Sequence, residues 1–561
     1  MIARRKLASL VIVAALALAP LSASSADGPP AGRGDYQSLV ALYEEFLDWK
    51  REAPIVGEIS DSAAFQGVAD YGPKAVAARR AEIKSFLTRL EDMNVASWDR
   101  AQQAEFLAVR AKVNEENFRY NFSRPWERDP GFYVDQMLHV TFTEIPAEGE
   151  ALARLRAQLA AIPVIVAEGR KNLKNVAADY ADLAIHNLSN ADGVGHGHPY
   201  RTTPPPGVIG WYADLLARVD AAQPELRPEV EAAKASVESF DAWLKQNRPR
   251  MTAQGGVGKD AFDWYLKNVK LMPYTSDEIV TLGLRELDRL WALYALERHR
   301  NRDLPEIERA STGEDYAARI AKTDADTRKF LVEEEIITIP DYVNELDTNV
   351  PWIVRPQGPN FWEEVQYRDP TPDHWHAVIP GHRFDGVVED NNPHPIRGRL
   401  TDGVRTEGWG VYLEEGLMHA GGIETKPRVR ELIYIFGIFR AARVPADVWL
   451  QRNEMTVPEV VSYWRERTPY LDENVARVDA EIYLRRPPGY GLGYTMGMLQ
   501  MQELLGDYRR LKGDSFVLKD FHDEFMAKGR LPMSLIRWEM TGLDDEVKRL
   551  WKADPLPRAP R

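Results

Sequence analysis

Apolar residues recur at three- and four-residue intervals along most of this chain, with charged and small polar residues filling the positions between. That period belongs to amphipathic helices that bury one face. It predicts helices over 75–90, 148–185 and 230–246. Thr275 followed three residues later by Glu278 reads as a capping box, and it opens a helix that runs through Leu284, Leu287, Leu290 and Leu293. The breaks are proline-rich: Pro204-Pro205-Pro206, then 351–372, 391–395 and 485–490. Strict alternation is sparse, and the β-branched run at 336–339 is the clearest strand candidate. No repeat or low-complexity tract interrupts the pattern. The expectation is a mainly α protein with few short strands. It is read as one unit of two helical lobes around a central cleft, 27–260 and 261–561.

The first residues depart from this pattern. Arg4-Arg5-Lys6 precede a 13-residue apolar run from Leu7 to Ala19, and Ser24-Ser25-Ala26 offers small residues before Asp27. This reads as a secretory signal peptide over 1–26, too short for an ordinary span. The chain has no cysteine, so the reading excludes a lipid-bearing cysteine, disulfides and thiolate chemistry. Any metal must be held by His, Asp or Glu. The formal charge is −14, and taking away those three cations leaves −17. Nucleic acid is thereby disfavoured, because its binding needs a basic footprint. A periplasmic or secreted protein is expected, with no membrane span after cleavage.

Candidate chemistry concentrates in His376-Ala-Val-Ile-Pro-Gly-His382 and Glu407-Gly-Trp-Gly-Val-Tyr-Leu-Glu414. Two imidazoles and a carboxylate are the ligand set of a catalytic zinc site with an open position. His376 and His382 are six residues apart, about 120° around a straight helix. Pro380-Gly381 lies between them and disfavours a helical Ile379, so a kink there brings the rings together. Glu407 is the natural third ligand. His382, Asp385 and Glu389 share a face, so Asp385 is expected to orient His382 or a neighbour. His374, His394, His196 and His198 rank lower as ligands.

Together these segments resemble the bacterial domain-of-unknown-function 885 family, whose members look like H-E-x-x-P-G-H-H-x-Q and then E-G-W-A-x-Y-x-E. Pro488-Gly-Tyr-Gly-Leu-Gly-Tyr494 and Phe521-His-Asp-Glu-Phe-Met-Ala-Lys-Gly529-Arg-Leu-Pro532 are similar to two further family motifs. The resemblance implies a large helical, zincin-like fold and a metallopeptidase-like zinc site. The departures fall where chemistry belongs. Ala377 replaces the family's general-base Glu, Arg383 its second His, Asp385 its Gln, and Tyr490 the Gln after P-G. The metal assignment to His376, His382 and Glu407 carries over; that of the base does not. Asp385, Glu389 and Glu414 are the carboxylates left to substitute for it. Asp385, Arg383, Tyr490 and Tyr494 are the expected catalytic groups, the tyrosines as oxyanion donors and Arg383 as partner of Asp385 or clamp for an anion. Trp409, Tyr412, Glu414 and Arg486 are the expected substrate contacts. The reading is an exported metal-dependent hydrolase or lyase acting on a peptide, amide or small carboxylate. Zinc suits the ligands, as do iron and manganese. The competing reading is an inactive relative that keeps the cleft and binds a ligand.

Overall fold

The computed structural model describes residues 28–52, 67–190, 203–347 and 350–559. The leader expected over 1–26 and the histidines at 196 and 198 lie outside them. Among the described residues every regular element is a helix, and the one β contact is an isolated bridge between Ala177 and Ala253. The fold is mainly α, as the periodicity implies. The few strands expected do not form. Residues 336–339 find no neighbouring strand, and an extended segment without a partner makes no sheet. Instead the Ile336 carbonyl lies 2.7 Å from His522 Nδ1, and Asp523 accepts from Thr338.

The helices start and stop where side chains satisfy their ends. The helix Ser276–Arg300 opens on the Thr275–Glu278 capping box. Similar boxes open Arg100–Phe118, Phe361–Gln366 and Val457–Arg467. The run read as 148–185 is two helices, Gly149–Asn172 and Ala178–Ser189. Between them the backbone turns aside, with Lys174 N and Asn175 N donating to Glu127 O. Along the helix Ser276–Arg300, Leu287 and Leu290 are buried and Leu284 is exposed.

Packing follows the apolar stripes. Leu155, Leu159, Ile162 and Val166 of Gly149–Asn172 are buried where that helix lies against Arg227–Asn247, which buries Val230, Ala233, Val237, Phe240 and Leu244. The helix Val429–Gln451 is enclosed on nearly every side. Around it lie Ser276–Arg300, Val457–Arg467, Glu473–Arg485 and Gly493–Lys512. The largest apolar cluster runs in sequence from Leu39 to Trp551, so early and late helices share one core. Polar ties reinforce this. Arg485 reaches Asp129 and Asp135 at 2.9 and 2.7 Å, Arg397 joins Glu105 to Glu539, and Arg110 donates to Trp551 O at 3.0 Å.

Two helices that carry site residues, Gly403–His419 and Gly493–Lys512, cross with almost no side chain between them. A Cβ on Gly408 would meet the Gly497 backbone at 2.4 Å, and one on Gly497 would meet Val404 O at 2.2 Å. Glycine at both positions is what allows the backbones to touch.

Candidate metal centre

The break between the two histidines is built by Pro380-Gly381. His374–Val378 forms one wide π turn. Ile379 is extended (φ −134°, ψ 128°), as the following proline requires. Gly381 then passes so close to His376 O that a Cβ would lie 1.9 Å from it. A new helix, His382–Asp390, starts at once. The histidines thus sit at the end of one helical segment and the first residue of the next. The 120° separation of a straight helix no longer applies.

Glu407, on Gly403–His419, completes the group. His376 Nε2 and His382 Nε2 are 3.0 Å apart, and they lie 3.5 and 3.1 Å from Glu407 Oε2. A tetrahedral ion with Zn–N near 2.0–2.1 Å separates neighbouring ligand atoms by roughly 3.3 Å. The triangle therefore fits such an ion and leaves a fourth position for a ligand. Two imidazole nitrogens this close share at most one proton, and a cation between them relieves the repulsion of their lone pairs. The carboxylate and rings already hold one another's charge. Burial raises Glu407, but His382 and His376 outweigh it and hold the carboxyl well below its usual range. Burial and Arg440 press His376 down, yet Glu407 and Glu414 prevail and its pKa is raised.

A second row fixes the first. His376 Nδ1 lies 2.8 Å from Glu414 Oε1, a close charge contact that is not aligned as a straight hydrogen bond. Glu414 Oε2 accepts from the buried Arg440 at 2.6 Å. A carboxylate behind a ligating imidazole sets its tautomer and basicity. Gly410 makes room for this, since a Cβ there would meet the His376 ring at 2.7 Å.

The tyrosines expected from the sequence form the flank of the site. Tyr494 lies nearly parallel to the His376 ring, 6.4 Å between centroids, and its hydroxyl is 3.3 Å from that of Tyr490. Burial and the charge of Glu407 raise both phenols, Tyr494 strongly, so both remain hydrogen-bond donors. Arg486 is exposed and stacks over Tyr490 at 4.8 Å, at the outer rim.

Other expected residues lie elsewhere. Asp385 does not touch His382. It is fully buried between Arg405 (2.6 Å) and Arg530 (3.2 Å), because two guanidinium donors compensate a buried carboxylate better than one imidazole. That pairing also takes Asp385 away from Arg383, which is half-buried on the same helix. Trp409 is buried and donates to Pro380 O at 2.9 Å, fastening the Pro-Gly turn rather than facing a ligand. Tyr412 is buried too, its hydroxyl 2.8 Å from His522 Nε2. Glu414 stands behind His376 and lines a small pocket with Glu286, Glu415 and Tyr434. His374 pairs with Asp324, and His394 Nδ1 accepts from Ile396 N and Arg397 N. Ala377 is buried at 3% exposure, so the place where the resemblance led us to expect a base is apolar wall.

Arg440, Arg443 and Asp447 were missed. They recur at three- and four-residue spacing on the helix Val429–Gln451, which carries no other charge between Leu432 and Leu450. Charges at helical spacing inside so apolar a helix are seldom buried without a partner, and that was the available signal.

Comparison with known proteins agrees with this architecture. The protein resembles one from Shewanella oneidensis that is provisionally described as a lipoprotein of unknown function. The TM-score is 0.66 at 16% identity, over 91% of this chain and 100% of that one. A protein from Colwellia psychrerythraea, provisionally described as a lipoprotein, gives 0.65 at 16% identity, over 91% and 99%. At that identity the likeness is one of fold. No curated protein matches. The profile of the family described as "Bacterial protein of unknown function (DUF885)" matches residues 58–356 and 374–540. Covering most of the chain, that match shows that the protein belongs to the DUF885 family.

Proposed function

We propose that the protein is an exported, metal-dependent hydrolase related to the helical metallopeptidases, with weakened or altered chemistry toward peptides or amides. The observation that carries this is the triangle of His376 Nε2, His382 Nε2 and Glu407 Oε2. A bound divalent ion, zinc by the ligand set, would supply Lewis-acid polarisation of a carbonyl and acidify water. The chain's own residues do the rest. Glu414 and Arg440 hold His376 in register, and Trp409 pins the turn between the two histidines. Tyr490 and Tyr494, kept protonated, would donate to an oxygen that gains charge during the reaction.

The weak point is the base. Its position is Ala377, and two of the carboxylates expected to replace it are already engaged: Asp385 with two arginines, Glu414 with Arg440. Glu389 lies nearly two turns beyond His382 on the same helix. A positioned base contributes typically ~10²–10⁴-fold, so turnover should be slow. The same observation favours a second reading, a ligand-binding protein without turnover. Export is proposed from the charged and apolar run at 4–19 and from the lipoprotein descriptions of the two similar proteins. No helix among the described residues is long and apolar enough to cross a membrane.

The test is metal content beside activity. The protein, purified without chelator, should carry near-stoichiometric zinc that His382→Ala loses. Ala377→Glu should raise cleavage of a mixed peptide library by at least tenfold. A wild type that stays metal-free after incubation with zinc would sink the metalloenzyme reading. Zinc without cleavage in either form would leave the binding reading.

A further inference from the structure

We propose that the ligand of this site carries a free carboxylate, bound by Arg443 beside the metal centre, as in a short peptide or acylated amino acid with its own terminal α-carboxylate. This builds on the metal-site reading and narrows it to a ligand class. Arg443 is buried at 3% side-chain exposure. Its guanidinium lies between two rings, 4.2 Å over Phe439 and 4.3 Å over Tyr494. Nη2 donates to Asp479 at 2.9 Å, while Nε and Nη1 have no acceptor. Tyr483, whose ring is 5.7 Å from the same guanidinium, is also buried with its hydroxyl unpartnered. Three orphaned atoms able to donate therefore gather in one buried place. Buried donors left unpaired carry a desolvation penalty, heavier for charged groups, and an anion would satisfy them.

The place suits a substrate. Tyr494 touches both Arg443 and His376, so one side chain spans from guanidinium to metal ligand. The two steps through the Tyr494 ring, 4.3 and 6.4 Å, are within reach of a short extended peptide at ~3.3–3.6 Å per residue. A carboxylate on Arg443 would set the preceding amide toward the triangle. From the surface inward, Arg486, Tyr490, Tyr494 and Arg443 form a continuous row of contacts, the two tyrosines edge to face, with a cation at each end. An overall acidic protein thus keeps two arginines on the tyrosine flank of its site.

The experiment is calorimetric titration of the full chain with N-acetylglycine, N-acetylleucine and N-acetylphenylalanine, each against its C-terminal amide. Wild type, His382→Ala, Arg443→Gln and Arg443→Lys are compared, and peptide cleavage is followed separately. At least one acid should bind about 10- to 100-fold more tightly than its amide, the worth of one charged hydrogen bond. The preference should persist in His382→Ala, vanish in Arg443→Gln and partly return in Arg443→Lys. Equal affinity for acid and amide, or no binding, would overturn the proposal. So would a preference that survives Arg443→Gln and disappears in His382→Ala, which would place the carboxylate on the metal. If Arg443→Gln fails to fold by near-ultraviolet dichroism, the acid–amide contrast in wild type and His382→Ala decides alone. Acid preference without cleavage in wild type removes turnover and leaves this inference. Cleavage indifferent to the terminal carboxylate does the reverse.

Discussion

The proposed metal site is only as good as the groups behind it, and those are few and specific. His376 leans on Glu414, and Glu414 on Arg440, all buried. Removing Arg440 leaves the Glu414 charge uncompensated and free to turn from the imidazole. Arg440→Met should lower zinc affinity by ~10–100-fold, the usual cost of losing an outer partner, with the helical fold kept. Competition against a zinc-binding dye measures this, and unchanged affinity would remove Arg440 from the site. A second buried group gives a pH dependence. Asp447 accepts from Leu492 N at 2.9 Å, and burial pushes its carboxyl up to about 7. The folded state thus prefers the protonated form more than the unfolded chain does, whose Asp titrates near ~3.9. Its contribution to stability is complete below that value and is lost as pH rises through about 7. Asp447→Asn keeps an acceptor but cannot ionise. Its melting temperature relative to wild type should climb between pH 5 and pH 8, and a flat difference would refute the assignment.

At the scale of elements, the site depends on a helix crossing that only glycine permits. Gly403–His419 supplies Glu407 and Glu414, Gly493–Lys512 supplies Tyr494, and the two meet backbone to backbone at Gly408 and Gly497. A Cβ there meets main chain, which cannot rotate away. Gly497→Ala should therefore destabilise by ~1–3 kcal/mol or more, as overpacking does, and loosen zinc binding with it. Gly403→Ala, with nothing within 4 Å, is the control and should be neutral or slightly stabilising. Chemical denaturation compares them, and equal stability of the two variants would mean the crossing is not tight. The Pro380-Gly381 break works at the same scale, ending one helix and starting another so that two histidines meet.

At the scale of the whole molecule, the last residues close the core over the first helices. Val547, Leu550 and Trp551 are buried, and the carbonyls of Leu550 and Trp551 take both Nη groups of the buried Arg110. Deleting the chain from residue 543 onward strands that guanidinium and uncovers the apolar surface those side chains cover, Phe106 and Trp538 among it. Thermal unfolding should move down by many degrees, and a variant as stable as the whole chain would show the segment to be an appendage.

The sequence by itself determined the helical class, several helix positions, the break between the histidines and the two imidazoles and one carboxylate that converge beside it. These follow from local rules: a 3.6-residue period, capping residues, and the effect of proline on its neighbour. Other features were decided only by tertiary structure. Asp385, Trp409 and Tyr412 look chemical in sequence, yet Arg405 and Arg530, the Pro380 carbonyl and His522 use them for support. Arg440 and Arg443 look like surface charges until the fold encloses their helix. The partners of a polar side chain come from distant segments, and whether it faces solvent, a ligand or a buried counter-charge is settled only when those segments meet.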